Sequence, residues 1–244
     1  MSALPSVDIA LPIYYGNLPE LEKNVLSLAS YLKKHLKDYS WKIVLAINGP
    51  YLEKVLPTFN KLSKKDKRIT YTYISNPGKG HGVIDAWLKS NAIIMAYMDV
   101  DLSTDLQSFR ELIQQIRDGY DISIGSRYLK KSNIQRSLKR FIISKGYVVY
   151  FYKLILGVPC TDAQCGFKAI NKDVAKKILP LIKERVWFWE SEMLYLAYKK
   201  GYKIKEVPVT WIDNFNSSET PSSYLTSLFN PSLVRSNYYI KRCK

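Results

Sequence analysis

The sequence predicts an α/β protein in which a mostly parallel sheet is flanked by helices, a single domain with a C-terminal appendage. Three observations carry that expectation. Short β-rich apolar runs alternate with longer helical patterns through the first half, as crossover units on a parallel sheet require. The 244 residues are 47% hydrophobic, ample for one core and against a disordered or fibrous chain. The polar stretch Asn216–Ser223 (NSSETPSS) then ends the patterned region and leads into a tail.

Taken in order, strands are expected at Val7–Ile13, Lys42–Ile47, Ile69–Ser75, Ala92–Met98 and Ile122–Ser126. Helices are expected between them at Leu18–Leu36, Leu52–Leu62, Val83–Lys89 and Asp105–Arg117. Leu21, Val25, Leu28 and Leu32 recur at helical spacing and mark one buried face of the first helix. The second half gives a basic segment, an apolar run at Gln164–Ile170, helices near Lys172–Ile182 and Glu190–Lys199, and a strand at Lys203–Trp211. The domain then covers residues 1–215 and the tail residues 216–244, and a compositional change near Arg127 divides the domain into halves of residues 1–126 and 127–215 that share one sheet. No internal repeat is present.

Lys and Arg number 37 against 21 Asp and Glu, and the resulting charge of +16 implies an anionic partner: a phosphorylated substrate, an anionic membrane surface or nucleic acid. Nucleic acid is the least suited, because no nucleic-acid motif accompanies the charge and a paired-carboxylate strand end would repel phosphate. Cys160, Cys165 and Cys243 are too few for a disulfide framework and read as packed free thiols in a reducing compartment. The first residues lack a signal-peptide pattern, which suits a cytoplasmic location. No run of eighteen apolar residues occurs, and Phe141–Leu156, interrupted by Ser144, Lys145, Gly146 and Lys153, suits an interfacial helix better than a spanning one. Burial of that helix in the core is the competing reading.

The chemistry is expected at Asp99-Val100-Asp101. This pair follows the apolar run AIIMAYM and so emerges at the carboxyl end of a buried strand, where open α/β sheets bind ligands. Carboxylates two residues apart can share Mg²⁺ or Mn²⁺, whose remaining positions are filled by water and substrate phosphate. A diphosphate leaving group is the natural third party, although the D-x-D pattern alone also occurs in solvated turns. Gly78-Lys79-Gly80-His81-Gly82 matches neither phosphate-loop pattern and reads as a backbone turn near the same site. His81 reads as a turn residue and His35 is remote from it in sequence.

Six segments follow in order: IALPIYYGN, ISNPGKGHG, YMDVDLS, GSRYLK, TDAQCGFKAI and WFWESEMLYLAYKKGYKIKEVPVTW. Their order resembles the family-2 glycosyltransferases of the GT-A, Rossmann-like fold, and within them the dolichyl- or polyprenyl-phosphate sugar transferases, the glucosyl branch most of all. The resemblance implies that residues 1–126 hold the nucleotide-sugar through Pro12, Tyr14, Lys79, Gly80, Asp99 and Asp101, joined by Gln164 from the later half, and Asn48 is a further candidate at the nucleotide. It implies metal binding by Asp99 and Asp101, catalysis by Asp101, Asp162 and Arg127, and an acceptor half at residues 127–215. Lys168 belongs to the central element, and Glu190 and Glu192 form an acidic pair at a late helix start. Two departures touch the base and the sugar: Ile47-Asn48-Gly49-Pro50 stands where relatives carry Asp-Asp-Gly-Ser, and Ser103 stands where some mannosyl-transferring relatives carry Gln. The Asn48 amide can still bond a base edge.

From Ile122 to Thr161 there is no acidic residue, whereas Arg127, Lys130, Lys131, Arg136, Lys139, Arg140, Lys145 and Lys153 are basic. Such a segment suits a lipid phosphate at a membrane surface, with Arg127, Arg136, Lys139, Arg140 and Lys168 at the acceptor phosphate. The expected reaction is inverting transfer of glucose from a UDP-sugar to dolichyl or polyprenyl phosphate by a peripheral enzyme on the cytoplasmic face. GDP-mannose as donor, or a saccharide hydroxyl as acceptor with Glu190 or Asp162 as base, are the alternatives. Trp187, Trp189 and Trp211 read as core or pocket walls. The sequence leaves the oligomeric state open.

Overall fold

The face of the first helix marked by Leu21, Val25, Leu28 and Leu32 is the face that is buried, all four side chains being fully covered. A computed structural model describes residues 4–135 and 156–212, which belong to one compact unit, Met1–Asp213. Arg136, Lys139, Arg140, Lys145, Lys153, Cys243, nearly all of Phe141–Leu156 and the tail lie outside the described residues.

The strands are β1 (Ser6–Ile13), β2 (Ser40–Asn48), β3 (Ile69–Ile74), β4 (Ile94–Met98), β5 (Ile122–Ser126), β6 (Asn133–Gln135), β7 (Phe167–Asn171), β8 (Ile204–Pro208) and β9 (Thr210–Ile212). The helices are α1 (Leu18–His35), α2 (Leu52–Lys65), α3 (Lys79–Lys89), α4 (Gln107–Arg117), α5 (Lys172–Lys177) and α6 (Trp189–Lys199). Seven strands form a mixed sheet in the order β3-β2-β1-β4-β7-β5-β8, with β7 antiparallel to both neighbours and the other pairings parallel. Strands β6 and β9 form a separate parallel ribbon.

All five residues of β4 and of β5 are buried, as strands covered on both faces must be. One face carries the main core, in which Ile9, Leu11, Ile94, Ala96, Met98 and Phe167 pack against α1, α2 and α4. On the other face Tyr97, alternating with Ala96 and Met98, meets Trp87 of α3 and Trp189 of α6 at ring separations of 5.8 and 5.4 Å. Because β1, β2, β4 and β5 are parallel, Ile13, Asn48, Met98 and Ser126 all end on one edge. The reversed β7 begins at that edge, with Phe167 opposite Met98, so the turn before it sits beside Asp99.

Three elements differ from the sequence expectation. Lys79-Gly80-His81-Gly82 is the first turn of α3 and not a free backbone turn. Two glycines weaken the helical signal, yet both are required by packing: a Cβ on Gly80 would lie 2.6 Å from the Trp189 ring, and one on Gly82 would lie 3.0 Å from the Ala46 carbonyl. The helix expected over Lys172–Ile182 stops after Lys177 and gives way to a 3-10 turn at Leu179–Leu181, where Pro180 has no N–H for an α-helical bond. The strand expected over Lys203–Trp211 is two strands, β8 on β5 and β9 on β6. Among the described residues no helix is long and apolar enough to cross a membrane.

Candidate active site

The carboxylate pair stands where β4 ends. The Asp99 amide donates to the Gly166 carbonyl at 3.2 Å, and its Oδ1 lies 2.7 Å from Lys79 Nζ at the start of α3. The Asp99 carboxylate occupies the space a side chain at Gly166 would need: a Cβ would fall 2.0 Å from Asp99 Oδ2, so any larger residue displaces that carboxylate. Asp101 Oδ1 accepts the Ser103 amide at 3.0 Å. Burial, and then the neighbouring charge of Asp99, raise the Asp101 pKa above the ordinary carboxylate value. Leu102 follows with φ 53°, the one non-glycine residue in the left-handed region among those described. This strain, on the order of 1–3 kcal/mol, is held in place by the surrounding turn.

That turn is clamped from beyond. Ser103 O accepts the Ile212 amide at 2.9 Å, Thr104 bridges Trp211, and Asp105 Oδ2 accepts the Thr210 amide at 3.1 Å. Asp105 Oδ1 also accepts the Ser108 amide at 3.0 Å in the first turn of α4. The residues present fit a hard divalent cation. Two carboxylates lie close together, burial and then the charge of Asp99 disfavour ionisation of Asp101, and an ammonium, Lys79, already lies against Asp99. No group of three or more His, Cys, Asp or Glu suited to a metal occurs among the described residues, so a cation here would draw its other ligands from substrate and water.

Beside this turn the expected donor residues divide into rim and frame. Tyr14 is 53% exposed after β1 and meets Tyr51 edge-on at 6.4 Å; Tyr51 was not singled out from the sequence, where only its place after Gly49-Pro50 marks it. Pro12 is buried within β1, opposite Ala46. Asn48, expected at a base edge, braces backbone instead: its Nδ2 donates to Ile13 O at 3.2 Å and its Oδ1 accepts the Gly78 amide at 2.9 Å. Gly80, expected at the donor, faces inward to Trp189, and its amide bonds Val186 O at 3.3 Å. The His81 amide bonds Arg185 O at 2.8 Å, so loop carbonyls already occupy these α3 donors. Burial lowers the His81 pKa, and its buried Nδ1 has no partner.

Arg127 leaves the end of β5 and closes on Asp162. Its Nε and a terminal nitrogen bond the two carboxylate oxygens at 2.7 and 2.9 Å, and its own amide adds a third bond at 3.0 Å. Burial opposes both charges, but each outweighs it for the other: Arg127 stays well above its ordinary pKa and Asp162 below the carboxylate range. The fork expected to hold acceptor phosphate is therefore engaged by Asp162, and Asp162, expected at the sugar, is fully covered. Glu206 Oε1 fixes the preceding turn by accepting from Thr161 N, Thr161 Oγ1 and Asp162 N at 2.8, 2.7 and 3.2 Å. The Trp211 ring lies 5.4 Å from the guanidinium carbon.

Lys168 is a second correction. Expected at the acceptor phosphate, it is fully buried in β7, where its ammonium donates to Cys165 O and to Glu190 Oε1 at 3.1 Å. Strand alternation turns it inward, and burial pushes its pKa down to about 8. Glu192 accepts the Lys183 and Glu184 amides at 3.1 and 2.9 Å, so neither acid of α6 faces an acceptor hydroxyl as a free base. Gln164 is half-buried in the turn before β7. Cys160 and Cys165 are buried and form no disulfide, and burial pushes the Cys165 thiol up to about 12. Trp189 is core, Trp211 is half-buried and Trp187 is exposed.

A parallel sheet carrying one reversed strand, with paired carboxylates at the end of β4 beside the turn entering that strand, defines the GT-A class of glycosyltransferases. The fold is matched by a solved Mycobacterium tuberculosis glucosyl-3-phosphoglycerate synthase in complex with Mn²⁺, UDP and phosphoglyceric acid. That match has a TM-score of 0.64 at 12% identity, over 92% of this chain and 74% of that one. The chain belongs to glycosyl transferase family 2, whose profile matches residues 8–179. It is 28% identical to glycosyltransferase AglD of Haloferax volcanii over 84% of its own length, but it spans only 33% of that protein. It is 30% identical to a dolichyl-phosphate beta-glucosyltransferase of Dictyostelium discoideum, over 89% of this chain and 69% of that one. The chain is thus a glycosyltransferase.

Proposed function

We propose that the chain transfers a sugar, glucose in the first instance, from a UDP-sugar to dolichyl or polyprenyl phosphate with inversion, at the cytoplasmic face of a membrane. The observation that carries this reading is the juxtaposition of Asp99, Asp101, Lys79 and the Gly166 turn on one sheet edge. The names of the Dictyostelium relative and of a Saccharomyces cerevisiae relative, 28% identical over 84% of this chain and 67% of that one, supply the acceptor class. Residues 1–126 serve as the nucleotide-sugar half and residues 127–215 as the acceptor half.

Asp99 and Asp101 would hold Mg²⁺ or Mn²⁺, which neutralises the negative charge developing on a leaving diphosphate. Lys79 adds a positive charge within reach of the same oxygens, and Tyr14 and Tyr51 offer rim faces to the nucleoside. A phosphate monoester, with a second pKa of about 6, is already largely dianionic at neutral pH and attacks sugar C1 without a strong base. That suits a site whose buried acids Asp162, Glu190 and Glu192 are engaged by Arg127, Lys168 and backbone amides. Orientation and preorganised charge then carry catalysis. The test is a panel of UDP- and GDP-sugars with polyprenyl phosphate, with and without EDTA, in which the lipid product is identified by mass. UDP-glucose is expected to give a glucosyl lipid phosphate that EDTA abolishes. No lipid product from any pair overturns the reading.

A further inference from the structure

A buried charge that reaches neither solvent nor the exposed site calls for an account, and the Lys168–Glu190 pair is such a charge. Both side chains are almost wholly covered, at 0% and 5% exposure. Pairs of this kind seldom add net stability, because taking two charges out of water offsets their attraction, and apolar residues of like volume often serve equally well. What the pair does is geometric. Glu190, in the first turn of α6, holds the Lys168 ammonium at 3.1 Å, and that ammonium also grips the carbonyl of Cys165. The next residue is Gly166, whose carbonyl accepts the Asp99 amide and whose bare Cα makes room for the Asp99 carboxylate. The Tyr97 ring, directly across from Lys168 in the sheet, lies 5.7 Å from its ammonium and 5.3 Å from that of Lys79, which pairs with Asp99.

We infer that Lys168 and Glu190 are positioning residues, whose ion pair anchors the Cys165–Gly166 turn and through it sets the place of the Asp99 carboxylate. This role rests on the reading of Asp99 as a donor-site residue, and it reverses the sequence expectation that Lys168 touches acceptor phosphate. It also separates Glu190 from any acid-base role. A misplacement of about 1 Å at a reacting centre can slow turnover on the order of 100-fold, so the anchor matters without touching substrate.

The experiment compares wild type with the double variant Lys168→Met/Glu190→Met, which removes both charges together, and with the near-isosteric Glu190→Gln. Hydrogen exchange is followed in a peptide covering residues 97–103 and in a control peptide from α1, and Mn²⁺-dependent UDP binding is followed by calorimetry. In the double variant the 97–103 peptide is expected to exchange at least tenfold faster while the α1 peptide is unchanged. UDP–Mn²⁺ affinity is expected to fall at least tenfold while the KM for lipid phosphate moves less than twofold; Glu190→Gln gives a smaller change in the same direction. Unchanged exchange and affinity in the double variant overturn the inference. So does a selective rise in the KM for lipid phosphate, which returns Lys168 to the acceptor. Should the double variant fail to fold, Glu190→Gln with unchanged 97–103 exchange overturns it equally. If wild type binds no UDP with Mn²⁺ while the exchange result holds, the donor reading fails and the anchor stands.

Discussion

The ends of β4 and β5 lie on one edge of the sheet with only β7 between them, and they treat charge in opposite ways. At β4 the Asp99 side chain is 36% exposed and Asp101 is held above its ordinary pKa, so negative charge accumulates there with one ammonium against it. At β5 Arg127 and Asp162, 9% and 0% exposed, satisfy one another through a closed fork. The first region keeps a partly exposed carboxylate; the second pairs its charges internally. On the proposed reading the first carries the chemistry, and the second holds the frame in which it occurs.

The contrast makes opposite demands on substitution. Asp162→Ala strands a buried guanidinium and should cost about 3–5 kcal/mol of stability, measured by urea unfolding. Loss of transfer without loss of stability in that variant would move Asp162 to the reacting side. Asp101→Asn should do the reverse, cutting transfer roughly 100-fold, about 3 kcal/mol in the barrier, while the unfolding midpoint stays near wild type. Initial rates under saturating Mn²⁺ check it. Gly166→Ala joins the two regions, because its Cβ would meet the Asp99 carboxylate at 2.0 Å. Displacement of the Asp99 carboxylate is expected to weaken UDP–Mn²⁺ binding about tenfold by calorimetry, with a stability change under about 1 kcal/mol.

A pH dependence distinguishes the buried pair in the same way. Lys168 has a folded pKa of about 8 against an ordinary 10.5, so between those values the unfolded chain binds the extra proton. Stability from this group accordingly rises with pH across that window and is lowest below pH 8, where the buried ammonium is fully charged. Urea unfolding at pH 8 and pH 10 should show wild type gaining relative to Lys168→Met/Glu190→Met, and parallel curves would mean that the lysine is solvated when folded.

Much of the frame was legible in the sequence. Strands β1 to β5 and the carboxylate pair lie where their apolar runs and flanking turns indicate, because strand burial and helical period are written in neighbouring residues. The start of α3 was not legible: two glycines argue against a helix locally, and only distant packing explains them, the Trp189 ring, more than a hundred positions on, for Gly80 and the Ala46 carbonyl on β2 for Gly82. Pro180 was a readable stop signal within the helix expected to run to Ile182. Asn48 and Lys168 were of the right chemical type for a ligand, but nothing local says which way a side chain at a strand end or on a reversed strand will turn.

The sequence by itself determined the α/β class, the order of the crossover units, the carboxylate pair at the end of β4 and the family, because each depends on short-range pattern or on ordered motifs. The tertiary structure decided which charge meets which. Arg127 finds Asp162 across 35 residues and Lys168 finds Glu190 across 22. Those pairings exist because β7 runs backwards between β4 and β5 and brings its preceding turn to the edge where β4 ends. Burial at that junction penalises any unpaired charge, so each ionised group left there takes the nearest opposite partner that the fold provides.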